Sequence, residues 1–120
     1  MKTSENDIRM VRGNSKDIPV QFSHADGTPY ILADGEVVRF GLKQTLYTKE
    51  ILIELELTAA EQEEDGTLVF HLTPQMTLAL DPGQYVFDVG IQSGSEYYTP
   101  ISGTALVLKP NVTAYKEVPA

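Results

Sequence analysis

Two histidines, His24 and His71, are the first places to look for chemistry in this chain. Neither stands in a His-x-x-x-His or His-Glu-x-x-His spacing, the arrangement that brings two imidazoles to one metal from one helix face. His71 alternates with Phe70 and Leu72, so it is predicted to point away from the core. Serines occur without the Gly-x-Ser-x-Gly elbow that would present one as a nucleophile. Glu61, Glu63, Glu64 and Asp65 offer oxygens for calcium but lack the periodicity of a calcium loop, and a solvated loop is expected there. The glycines are single rather than clustered, which leaves no phosphate-cradling loop. With no cysteine, thiol catalysis, disulfide frameworks and thiolate metal sites are excluded. Tyr97 and Tyr98 are adjacent, so on a strand they face opposite ways, and at most one joins a sugar-binding platform with Tyr47 or Tyr30. Asn111-Val112-Thr113 matches a glycosylation sequon, which has meaning only in a secreted chain. The expectation is a protein that is not an enzyme, with no catalytic residues, no cofactor and no metal.

The elements that would have to position any site are those of one domain, since 120 residues suffice for one core without staples. Apolar residues make up 42% of the chain, a globular share that points to neither disorder nor a membrane protein. No apolar run near Met1 is long enough for a signal peptide or a membrane span, so a cytoplasmic protein is expected, at least until any assembly. The net charge of −8 is unevenly placed: residues 50–65 hold seven of the seventeen acids and no Lys or Arg. No clustered basic surface is visible, which disfavours nucleic acid as a partner. The acidic stretch has two readings, a solubilising edge or a docking face for a basic partner.

Residues 1–7 are expected to form a flexible tail, residues 8–109 the domain and residues 110–120 a polar tail that trails or arms a partner. Period-two alternation then marks short strands. Ile18, Val20 and Phe22 share one face of a strand in which Pro19 cannot donate to a ladder, which pushes it toward an edge. Val38, Phe40 and Leu42 share a face of the next. In 50–58, Ile51, Ile53, Leu55 and Leu57 face one way and Leu52, Glu54 and Glu56 the other. The residues are good helix formers, yet the period decides for a strand. Ser93-Gly94-Ser95 and Ser102-Gly103 divide the last part into strands at 96–101 and 104–108. Leu106, Val107 and Leu108 belong to a run that is apolar on both faces. It is either a well-covered terminal strand or a subunit contact.

Residues 68–91 organise the rest as strand, helical turn, strand. Thr73 suits an N-cap and Pro74 the first helical position, and Met76 and Leu80 stand four apart over a turn near 74–80 that Asp81-Pro82-Gly83 ends. Tyr85 follows Asp81 by four residues, with an inward Phe87 two further on. This spacing resembles the tyrosine corner of immunoglobulin-like domains, in which the ring is buried and the hydroxyl returns to the backbone upstream. An ordinary core tyrosine is the other reading. Phe87 takes the place of the antibody cysteine, and the chain has no Trp, so the antibody family proper is not indicated. Seven to nine short strands with one helical turn predict an all-β, immunoglobulin-like antiparallel β-sandwich.

Read through, the chain resembles small proteins encoded in phage and prophage tail or baseplate clusters of low-GC Gram-positive bacteria. The matching features are Arg12-Gly13-Asn14-Ser15 leading to Ile18-Pro19-Val20, then Val38-Arg39-Phe40-Gly41-Leu42-Lys43, Asp65-Gly66, and Leu72-Thr73-Pro74-Gln75-Met76-Thr77. Leu80-Asp81-Pro82-Gly83-Gln84-Tyr85-Val86-Phe87-Asp88-Val89, Ile101-Ser102-Gly103-Thr104 and Val112-Thr113 complete it. Related segments open the larger baseplate upper proteins as an N-terminal β-sandwich. The resemblance implies a virion structural protein, cytoplasmic before assembly and in the particle if the prophage is active. Its partners would be other tail or baseplate subunits, with a homo-oligomer as a further possibility and neither nucleic acid nor membrane. Glu54, Glu56, Glu63, Glu64, Leu106, Val107 and Leu108 are the candidate interface. The alternative is a stand-alone carbohydrate- or peptide-binding adhesion module.

Overall fold

A computed structural model describes residues 4–110, with backbone alone for residues 4–6. The tail expected over 110–120 lies outside the described residues except for Pro110, as does the Asn111 sequon. The elements follow in the order β1 (Ser4–Val11), β2 (Lys16–Val20), β3 (Val37–Lys43), β4 (Ile53–Thr58), β5 (Leu68–Leu72), α1 (Pro74–Leu78), β6 (Gly83–Ser93) and β7 (Glu96–Leu108). A single turn of 3-10 helix, Ala59–Glu61, follows β4. One sheet has the order β1-β7-β6-β3-β4 and the other pairs β2 with β5.

The alternation read from the sequence fixes which face of each strand is inside. Val38, Phe40 and Leu42 of β3 are buried opposite Leu68, Phe70 and Leu72 of β5, so the two sheets close on one apolar core. Phe40 sits at its centre, 5.7 Å from Phe70 across the sheets and 5.8 Å from Phe87 on the neighbouring strand. α1 begins as its sequence requires: the Thr73 hydroxyl accepts from the Met76 amide, and Pro74 sits where no N–H is needed.

Four details differ from the sequence reading. β1 begins at Ser4, so the part of the expected tail that is described runs as strand. β1 pairs with β7 in parallel, Ile8 opposite Ala105, and gives an otherwise antiparallel sandwich one parallel edge. The segments 96–101 and 104–108 form one strand of 13 residues. Gly103 does not break it and keeps its place in the ladder opposite Phe87. Pro100 is accommodated because Gly90 alone faces both Thr99 and Pro100, a bulge that releases Pro100 from the ladder. Finally, β4 starts at Ile53, leaving Ile51 in the connection, exposed rather than inward.

The segment joining β2 to β3 is held by buried polar contacts. Glu36, only 6% exposed, accepts from the Tyr30 hydroxyl at 2.8 Å and the Ala33 amide at 2.7 Å. The Gln62 side chain accepts from Leu32 N–H and donates to the Tyr30 and Gly66 carbonyls, tying that segment to the loop after β4. At the other end, Thr77 is wholly buried; its hydroxyl accepts from Gly13 N–H at 2.9 Å and donates to the Asn14 carbonyl at 2.9 Å. Gly13 has φ of 85°, a left-handed conformation that glycine adopts freely, and this aims its amide at Thr77.

Candidate docking surface

The tyrosine and its neighbours come first, because they fix the turn from α1 into β6. The Tyr85 hydroxyl donates to the Asp81 carbonyl at 2.7 Å, and the ring is buried against the core. Burial pushes the phenol pKa up, and the Asp81 charge adds to it. Phe87 stacks nearly parallel to Phe40. These residues hold the turn from α1 into β6.

The histidines stay apart from each other. His71 Nδ1 meets Asp17 Oδ1 across the β2–β5 ladder, with both side chains mostly in water. His24 lies over the ring of Tyr30 at 5.3 Å. Among the described residues no three His, Asp or Glu side chains converge to hold a metal ion, and every buried side-chain nitrogen or oxygen has a partner. No helix of the described residues is long and apolar enough to cross a membrane.

The candidate interface residues separate into three groups. Glu54 and Glu56 stand on the solvent face of β4, the terminal strand of its sheet, so one edge of β4 has no strand partner. Arg39 reaches Glu56 at 2.8 Å and also bonds Gln92, which leaves Glu54 without an ion pair among the described residues. Glu63 and Glu64 are exposed on the loop that Gln62 fastens. That loop closes at Gly66, whose φ of 93° and whose 3.1 Å approach from Pro29 to any added Cβ both call for glycine. Asp65 accepts from Thr67 N–H in the same turn, which holds its carboxyl below the usual aspartate range.

The third group requires a correction. Val107 is 1% exposed and part of the core, because β1 lies alongside β7 and turns this residue inward beside Met10. Leu106 is half-buried on the outer face, and Leu108 is exposed at 37%. Both edges of the run are paired by its own chain, as an interior strand of the sheet, and only its inner face is buried.

A larger apolar exposure lies in the connection between β3 and β4. Tyr47 is 95% exposed, Leu46 77%, and Ile51 and Leu52 also face solvent. For Leu46 and Tyr47 the available signal is that they belong to no alternating face; Ile51 and Leu52 fit the period of the following strand but precede its start at Ile53. Leu46 and Ile51 lie against Gly41, Lys43, Val86 and Asp88 of β3 and β6, whereas Leu52 lines a separate groove of about 480 Å³ between the start of β4 and α1. Leu52, Ile53, Met76, Ala79 and Leu80 give it apolar walls, and Glu50 and Glu54 stand at its rim.

Strand order and the corner together define the class: an all-β, immunoglobulin-like sandwich, in which β3, β6 and β7 form the larger sheet's centre and β2 and β5 the facing sheet. No family model matches the chain, and no curated protein matches it. A solved structure from a photo-crosslinking study of multimeric cell-adhesive interactions of VGSC beta subunits is similar at a TM-score of 0.40. It shares 16% identity over 92% of this chain and 98% of that one. A 2,6-sialyltransferase from a Photobacterium species, in complex with CMP and lactose, is similar at a TM-score of 0.34 with 18% identity. There the match covers 90% of this chain and 18% of the other. Likeness this distant carries nothing about what this chain binds.

Proposed function

We propose that this chain is a non-enzymatic structural protein of a phage or prophage tail or baseplate, working by packing against other subunits of the particle. The observation that carries association is the β4 side of the sandwich. A strand edge with no partner strand among the described residues, the exposed Glu54 carboxylate and the exposed Leu52 lie together there, at the end of a connection that also exposes Leu46, Tyr47 and Ile51. Exposed apolar groups gathered beside an open ladder favour a covering partner, and carboxylates on the same side select its charge. The particle part rests on the sequence resemblance, whose quoted segments map largely to the turns and core positions that build this sandwich. The chain would be made in the bacterial cytoplasm and end in the virion.

Peptide mass spectrometry of particles purified after prophage induction tests this. The protein is expected at a copy number comparable with known tail proteins, and its absence from intact, abundant particles would sink the virion assignment. A stand-alone sugar- or peptide-binding module is the second reading, favoured by the exposure of Tyr47, Tyr97 and Tyr98. Calorimetric binding of cell-wall glycans by the isolated monomer would decide for it.

A further inference from the structure

We infer that the free edge of β4 and the groove below it take one extended segment of a partner, in which Lys or Arg alternates with apolar residues. This deepens the reading of the chain as an association module and rests on that part of it alone, not on location in a particle.

Three observations specify the occupant. β4 ends its sheet, so alternate backbone N–H and C=O groups along 53–57 point away from β3 with no strand among the described residues to meet them, while the Thr58 N–H donates to the Glu61 carboxylate at 3.1 Å. An added strand satisfies them through ladder hydrogen bonds and must itself be extended. Side chains of an added strand alternate between the two faces of the sheet. On the inner face they come beside Ile53, Leu55 and Leu57 and over the apolar groove that reaches Met76 and Leu80, which suits aliphatic residues. On the outer face they come beside Glu54 and Glu56, which suits Lys or Arg, and Glu50 adds a further carboxylate at the groove itself.

The same charges decide against a second copy of this chain at this edge. Antiparallel pairing of β4 with another β4 would set Glu54 and Glu56 against the same two residues, and like charges directly opposite are destabilising. Arg39 bonds Glu56 within its own sheet and its charge also reaches Glu54, but no basic side chain forms an ion pair with Glu50 or Glu54 among the described residues. The edge carries no proline and no bulge, the usual devices for blocking a strand edge. Its protection is charge alone, and a basic strand turns that protection into attraction. The opposite sheet differs: Pro19 stands in β2, where it withholds a donor.

The test uses the full chain, isotope-labelled for amide NMR, and three short capped peptides: alternating Lys and Val, alternating Glu and Val, and the Lys/Val composition with all lysines grouped at one end. Binding of the alternating Lys/Val peptide is expected, with shift changes centred on Ile53–Thr58 and reaching α1, and weakening as ionic strength approaches about 1 M, where the Debye length is about 3 Å. Glu54→Lys combined with Glu50→Lys, both exposed positions, is expected to weaken that peptide by about tenfold or more while the circular dichroism spectrum stays unchanged. Equal binding of the grouped peptide would reduce the effect to charge attraction and overturn the strand assignment. Shifts confined to β1 or β2, or no binding at millimolar peptide, would overturn it as well. None of these outcomes bears on whether the protein is found in particles, so the two readings fail separately.

Discussion

Tyr85 spends its one hydroxyl on the Asp81 carbonyl, and Tyr85→Phe removes only that bond from an otherwise unchanged ring. A loss of about 1 kcal/mol in urea unfolding is expected, the usual net size of one hydrogen bond; no loss would show that the corner is packing alone. Glu36 makes a different prediction, read through pH. Burial by itself would raise its pKa, but hydrogen bonds from the Ala33 amide, the Tyr30 hydroxyl and Ser93 outweigh that and hold it below the ordinary 4.5. A carboxyl lowered in the folded state stabilises above its unfolded pKa, and that stability is lost as pH falls through the folded value. Melting temperature should therefore fall with acidification below about pH 4.5, and Glu36→Gln should flatten that fall. Equal pH slopes for both proteins would remove Glu36 from the account. The spacing of Asp81 and Tyr85 made the corner visible in the sequence. Glu36, Gln62 and Thr77 were not, because a buried polar group follows no period and its partner lies far off: Thr77 meets Gly13 at a separation of 64 residues.

Alternation identified the inner faces of β3 and β5, since Val38, Phe40 and Leu42 and then Leu68, Phe70 and Leu72 recur at period two while Arg39, Lys43 and His71 mark the outer faces. It failed where a neighbour decides the structure. Residues 4–7 carry no alternating apolar pattern of their own and become strand because β7 offers an edge to join. Leu106, Val107 and Leu108 look alike in sequence, and only the flanking strands separate them into outer face, core and exposed end. That separation is measurable. Val107→Ala should cost about 2 kcal/mol through lost burial and a residual cavity, while Leu108→Ala should stay within about 0.5 kcal/mol. Similar costs at the two positions would mean that β1 does not cover β7 as described.

For the molecule as a whole, the sandwich class was legible because several short strands with turn signals and no long helical period leave few other ways to bury an apolar face. Strand order was not, because pairing is chosen by surfaces that exist only after folding. The distribution of charge was visible from the start: seven acids within 50–65. What the structure adds is that two of them line the side of an open ladder and one stands over an apolar groove, so charge and shape select the same partner.

The parallel union of β1 with β7 also sets the timing of folding. Asp7 accepts from the Thr104 hydroxyl across 97 residues of chain, and the strands around that contact bring the first part of the domain onto its last. Contacts this remote in sequence cost loop-closure entropy before they return any energy, which places such topologies among the slower folders, in the range of milliseconds to seconds. On a ribosome adding about 5–20 residues per second, β1 must wait for nearly the whole domain to be made before its partner emerges. Until then β6 has a bare flank, and β7 closes it last.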